Sequence, residues 1–215
     1  MQIRISFTCH LVAENIIKFM RGLVWCWLLI ACQRTAEDPS RRAAACKTDV
    51  VKTHGIRGVI FSEACAQTLA RSTRIVPEGH AIGYFQPTAA EIEALEKDLR
   101  PALELGRKKP ETITEMPETP EEREEWFWGV RVALEGILKT YTKFRRQYVG
   151  IVVHGGARRV FVNCFPEVDA GGREEYPDWT LRWMDYVDDG AWDYWRIQYD
   201  LASGRFFGFE INASA

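Results

Sequence analysis

Motifs for metal binding and nucleophilic catalysis are what this sequence most lacks. It has four histidines in 215 residues, and no HExxH or CxxC pattern. Zinc chemistry draws on such spacings, so His54, His80 and His154 do not suggest a metal centre, and no cofactor is expected. There is no G-x-S-x-G elbow and no recognisable triad order. Gly155-Gly156 and Gly171-Gly172 do not sit between a strand and a helix, as a phosphate cradle requires. Charge of one sign is also missing. Lys and Arg total 28 against 30 Asp and Glu, a balance that speaks against nucleic acid as a partner. No apolar run approaches the ~20 residues that a membrane-spanning helix needs. No internal repeat appears.

The longest apolar run is Gly22 to Ala31, GLVWCWLLIA, preceded by Arg21. Its length suits the h-region of a signal peptide. It ends in Leu29-Ile30-Ala31-Cys32, which resembles the lipobox of bacterial lipoproteins. The resemblance implies a signal peptide over residues 1–31, cleavage after Ala31 and lipid on Cys32. Residues 1–19 make a long leader that contains Glu14, and Met20-Arg21 would be a more typical start. Gln33 after the lipidated cysteine implies a lipid-anchored protein of the cell envelope, on the outer membrane and facing the periplasm. The alternative is a buried helix with an ordinary core cysteine. The polar, Ala-rich stretch 33–45 then reads as a flexible tether, and residues 46–215 as one domain.

Export would place Cys46, Cys65 and Cys164 in an oxidising compartment. Cys46 and Cys65 are close in sequence and are expected to pair, stabilising the fold by ~3 kcal/mol. Cys164, in the apolar run Val160–Phe165, reads either as a reactive thiol or as a small buried hydrophobe.

Residues 46–76 are ambiguous: Val59-Ile60-Phe61 suggests a short strand and Ser62–Leu69 a helical turn, while Gly55 and Gly58 interrupt any long element. Ala81–Phe85 is a short apolar run. Thr88 to Glu91 is a capping box, followed by Ile92, Leu95, Leu99 and Leu103 at helical spacing, with Pro101 expected to kink or end the helix. Thr119-Pro120-Glu121-Glu122 opens a second helix whose buried stripe is Trp126, Val130, Leu134, Ile137, Leu138 and Tyr141, ending near Phe144. Gly129 and Gly136 share one face of it, where another element could approach closely. Tyr148–Val153 and Val160–Phe165 flank a Gly-Gly turn, Trp183–Val187 suggests a third strand, and Trp192–Asp200 and Arg205–Ile211 flank Leu201–Gly204. Alternation places Trp195, Ile197 and Tyr199 on one face with Phe207, Phe209 and Ile211. The expected class is α+β: two helices packed on an antiparallel meander of four to five strands, helices first, with one buried face.

Several segments resemble a group of uncharacterised bacterial secreted proteins and lipoproteins. They are Tyr84–Thr88, Lys143–Gly150, Val162–Phe165, Asp188-Asp189-Gly190 and the strand from Phe206 to Asn212. The resemblance covers residues 81–215 and implies a shared fold, but no activity. The helix-then-meander order is also similar to cystatin-type folds, an analogy of fold alone.

Two surfaces are candidates for function. Lys143, Arg145 and Arg146 form a basic cluster, read either as an anion or headgroup site or as cations answering a helix C-terminus. Trp183, Asp185, Asp188, Asp189, Trp192, Asp193 and Tyr194 gather acids beside aromatics. That combination suits glycan hydrolysis, sugar binding or calcium, and equally a solvated Asp-Asp-Gly turn flanked by core tryptophans. The leading expectation is a membrane-tethered, non-enzymatic module that binds a protein partner, as an inhibitor or immunity-type lipoprotein does. The second is an envelope glycan-binding protein or glycan hydrolase that uses the acid and aromatic residues.

Overall fold

Among the described residues a hairpin comes before any helix. β1 (Thr48–Thr53) and β2 (Ile56–Phe61) pair antiparallel around His54 and Gly55, both at positive φ. The computed structural model describes residues 46–72, 81–115, 117–168, 176–184 and 191–211. The leader, Cys32 and the tether lie outside them. After the hairpin come α1 (Glu63–Ser72), β3 (Gly83–Phe85), α2 (Ala89–Lys108), α3 (Pro120–Lys139), β4 (Phe144–Val152), β5 (Arg158–Pro166), β6 (Trp195–Asp200) and β7 (Arg205–Ile211).

The class is α+β, but the sheet is larger than expected and is mixed. It has seven strands in the order β1-β2-β4-β5-β6-β7, with β3 also paired to β4. β2 runs parallel to β4, with Val59 opposite Gln147, while β3 pairs antiparallel further along β4, with Tyr84 opposite Ile151. The sheet is therefore not a pure meander, and among the described residues there are three α-helices rather than two and they do not come first. Gly55 interrupts the chain as expected, between β1 and β2, while Gly58 lies within β2 and does not break it. Gly55 supplies the positive φ of its turn, and Gly58 leaves room for the Tyr148 ring, into which a Cβ would run.

Both faces of the central strands are covered. The eight residues from Phe144 to Ile151 are all buried. One core, holding Phe144, Tyr148, Val160, Val162, Trp195 and Ile197, packs against Leu95, Leu99 and Leu103 of α2 and Val130, Leu134 and Ile137 of α3. The other, holding Val149, Ile151, Phe161 and Phe165, packs against Cys65 and Ala66 of α1 and against Trp179, Trp183 and Met184. The expectation of one buried face accounted for only the first of these.

The capping box of α2 forms as expected, with Glu91 N donating to Thr88 Oγ1 at 3.2 Å and Thr88 N to Glu91 Oε2 at 2.7 Å. Pro101 does not end the helix. It lies on the exposed side, where water can take the freed carbonyl, and α2 runs on to Lys108. Thr119 caps α3 ahead of Pro120. This helix stops at Lys139, a short 3₁₀ turn spans Tyr141–Lys143, and β4 begins at Phe144. Trp126 leaves the predicted buried stripe. It is part exposed, with Nε1 donating to Thr114 Oγ1 at 3.3 Å.

The β4–β5 hairpin turns at Gly155 and Gly156, both at positive φ, as expected. In the last hairpin, Asp200 Oδ1 accepts from Ala202 N and Ser203 N. A bulge at Gly208, φ 60°, shifts the register. It brings Phe206 and Phe209 into the α2/α3 core and turns Phe207 out, under the Arg159 guanidinium. Phe207 therefore does not share a face with Phe209. Trp183 and Met184 carry no regular structure, and 185–187 of the strand expected there lie outside the described residues.

Candidate functional site

The described members of the acid and aromatic group do not share one surface. Trp183 is buried edge-on against Phe61, centroids 5.9 Å apart, and beside Phe161. Tyr194 is also in the α1-side core, with its hydroxyl 2.6 Å from that of Tyr176. Trp192 is 45% exposed, with its indole lying against the α3 backbone at Gly136. Asp193 is exposed. Asp185, Asp188 and Asp189 lie outside the described residues.

The basic cluster is split three ways. Lys143 is exposed, while Arg145 and Arg146 are buried neighbours in β4, so pleating sends them to opposite faces. Both are strand residues of the interior, and Arg146 alone reaches back to the turn that follows α3. On the α1 side, Arg145 stacks over Trp179 at 4.9 Å and reaches Glu167 Oε1 at 3.4 Å.

On the α2/α3 side, Arg146 is fully buried. Its partner is Glu96, which α2 carries on its buried face one turn beyond Ile92; Arg146 Nε and Glu96 Oε1 are 3.6 Å apart. The carboxylate also accepts from Tyr148 Oη at 2.8 Å and from Tyr141 Oη at 3.2 Å. The rings of Tyr141 and Trp195 lie about the guanidinium at 4.9 and 5.1 Å. Arg146 Nη2 donates to Tyr141 O at 3.3 Å. Burial pushes the Tyr148 phenol well up, and the nearby Glu96 carboxylate adds to that. Tyr141 moves the same way for the same reasons.

Cys164 stands between Arg146 and Trp195 in one row across three strands. It is free and fully buried. Burial drives its thiol pKa far up, although Arg146 pulls the other way. A nucleophile needs a thiolate and access; this cysteine packs as a small hydrophobe.

Gln147 and Asn163 form a second buried polar group, on the α1 side. Gln147 Nε2 donates to Trp179 O at 2.7 Å and Arg182 O at 2.6 Å, while Met184 N donates to Gln147 Oε1 at 2.9 Å. Asn163 Nδ2 donates to Met184 O at 2.9 Å. Two side chains thus satisfy the backbone of an irregular segment, 176–184, that lies over the sheet. Sequence reading missed Glu96 and Asn163 as buried groups. Glu96 was accessible to it, because it sits on the apolar stripe of α2.

Large apolar side chains nonetheless reach solvent on α3. Trp128 is 66% exposed, and Val132, one turn on, is 38% exposed. The next turn on that face is Gly136, where the Trp192 indole rests. At Gly129, beside Trp128, a Cβ would meet nothing within 4 Å. Of the two glycines expected to admit another element, Gly136 admits Trp192 and Gly129 stays open. The result is a strip formed by Trp128, Val132 and Trp192. Beside it, an open groove between α2 and α3 is lined by Arg107 and Lys108 and by the exposed pairs Arg100–Glu104 and Lys139–Glu135. Pairs this solvated contribute little.

Cys46 and Cys65 form the expected disulfide, with Cα atoms 4.6 Å apart. Among the described residues no His, Cys, Asp and Glu side chains group as metal ligands, and no helix is long and apolar enough to cross a membrane. No family model, no curated protein and no solved structure matches this chain.

Proposed function

We propose that the chain is a membrane-tethered lipoprotein of the cell envelope that acts as a non-enzymatic binding module for a protein partner, in the manner of an inhibitor or immunity protein. The observation that carries this reading is the α3 strip, where Trp128 stands 66% exposed and Trp192 45% exposed around Val132. Tryptophan that is left in water beside a well-packed core suits a contact that a partner completes, since aromatic anchors dominate protein interfaces.

One further feature supports the reading. Glu96 and Arg146 pair inside the core, and Cys164 is buried beside Arg146. The test is affinity capture from detergent-solubilised envelope, with the full chain and Trp128→Ala as paired baits. One protein held stoichiometrically by the wild type and lost with the variant supports the reading. Equal recovery with both baits counts against it.

The second reading is a glycan-binding protein or glycan hydrolase drawing on Asp185, Asp188, Asp189 and Asp193. It rests on Trp192 and Asp193, adjacent and both exposed. Its test is turnover of peptidoglycan by wild type and Asp188→Asn; turnover unaffected by any of the four acid substitutions removes it.

A further inference from the structure

The chain leading into the α3 strip from its N-terminal side is strongly acidic, whereas the groove beside the strip carries Arg107 and Lys108 together with the Arg100–Glu104 and Lys139–Glu135 pairs. Residues 111–125 hold seven glutamates and one arginine, in a chain whose overall charge is only −2. That arginine, Arg123, is turned back onto the backbone, donating to Pro117 O at 2.7 Å and Glu118 O at 2.9 Å. Glu121, Glu124 and Glu125 are all exposed, and none has an ion-pair partner among the described residues. Glu121, Glu124 and Glu125 lie one to two turns before Trp128 on the same face. Thus Trp128 and these three carboxylates share one exposed face of α3.

We infer that this surface docks a cationic protein: one that receives Trp128 and Trp192 in an aliphatic cleft and sets lysines or arginines against Glu121, Glu124 and Glu125. The inference rests on the protein-partner reading above and adds the chemistry of the partner. The same carboxylates disfavour an anionic lipid surface or a nucleic acid as the occupant. Opposite charge around an apolar anchor speeds association and rejects wrong partners, while the buried indole supplies most of the affinity. Lysine and arginine also gain by stacking on exposed indole.

The test uses the full chain and defined peptides, read by fluorescence anisotropy. The probes are a labelled amphipathic helical peptide of leucine and lysine, its counterpart with glutamate for lysine, and its counterpart with serine for leucine. The first is expected to bind best, with affinity falling as salt rises. Trp128→Ala and the triple change Glu121→Gln, Glu124→Gln, Glu125→Gln should each weaken it on the order of 10-fold or more. All four positions are exposed, and circular dichroism of each variant verifies that the fold is kept. A control triple change elsewhere, Glu93→Gln, Asp98→Asn, Glu210→Gln, should have little effect. Equal losses from both triples would overturn the inference, because general charge would then explain binding. Better binding of the anionic peptide would overturn it too. So would a concentration-dependent dimer that Trp128→Ala makes monomeric, since the strip would then meet a second copy. If the cationic peptide fails while envelope capture still depends on Trp128, the charge assignment falls and the protein-partner reading stands. If both fail, both fall.

Discussion

The Tyr148 hydroxyl donates to Glu96 Oε1 at 2.8 Å, joining the central strand to α2 through a carboxylate buried in the core. Arg146, two residues before Tyr148 on the same face of β4, provides the opposite charge. The pair is costly to desolvate and costly to break. Glu96→Ala should destabilise the fold by ~3–5 kcal/mol, because it leaves the guanidinium buried without its counter-charge. The double change Glu96→Leu, Arg146→Met should cost clearly less than the sum of the two single changes. Urea unfolding of the four proteins checks this; additive losses would mean that the two groups do not act as a pair.

Alkaline pH should unfold the protein through the same cluster. The folded pKa of Tyr148 lies well above its ordinary value of 10.0, with burial the larger cause and the Glu96 carboxylate next. Its contribution to stability is therefore fully present below pH 10 and is lost as pH rises toward the folded value. Tyr141 adds to the effect with the same sign. Thermal unfolding followed from neutral pH upward should show a stable plateau that declines above about pH 10. In Tyr148→Phe the plateau should start about 1–2 kcal/mol lower, from the lost hydrogen bond, and decline less steeply.

The cysteines should behave in two ways. Cys164, fully buried with its thiol pKa raised, should resist thiol reagents in the native state and react only in denaturant. Replacing Cys46 and Cys65 with alanine should cost ~3 kcal/mol. Rapid native labelling of Cys164 would contradict its place in the core.

Much of this fold could be read locally. Thr88 and Glu91 announce α2, Thr119-Pro120 announces α3, and Gly155-Gly156 marks the β4–β5 turn. What could not be read locally depends on distant partners. Gly58 looks like an interruption until Tyr148 is known to lie against it. The β2–β4 pairing joins residues far apart in sequence, with three helices between them, and nothing near Val59 signals Gln147. Phe207 follows the alternation of its strand until the bulge at Gly208 turns it away from Phe209. The basic run Lys143–Arg146 looks like surface in sequence, and only the two-sided burial of β4 makes its two arginines interior. The α3 strip was partly legible: the stripe through Val130 and Leu134 leaves Trp128 and Val132 on the opposite face.

Two glycines should respond unequally to alanine. At Gly150 a Cβ would meet the Phe85 backbone oxygen, which the β3–β4 pairing holds in place. At Gly106 it would meet the Ile113 side chain, which can yield further than a paired backbone oxygen. Gly150→Ala should therefore destabilise more than Gly106→Ala, by roughly 1–3 kcal/mol. Denaturation midpoints compare the two directly, and equal losses would place β3 less tightly on β4 than described.

Photo-crosslinking in intact cells tests the binding reading most directly. A benzophenone amino acid placed at Trp128 should give one dominant adduct with another protein, and the same group at Lys52, exposed on β1 at the far edge of the sheet, should not. Equal adducts from both positions, or none from Trp128, would contradict the proposal that α3 carries the contact.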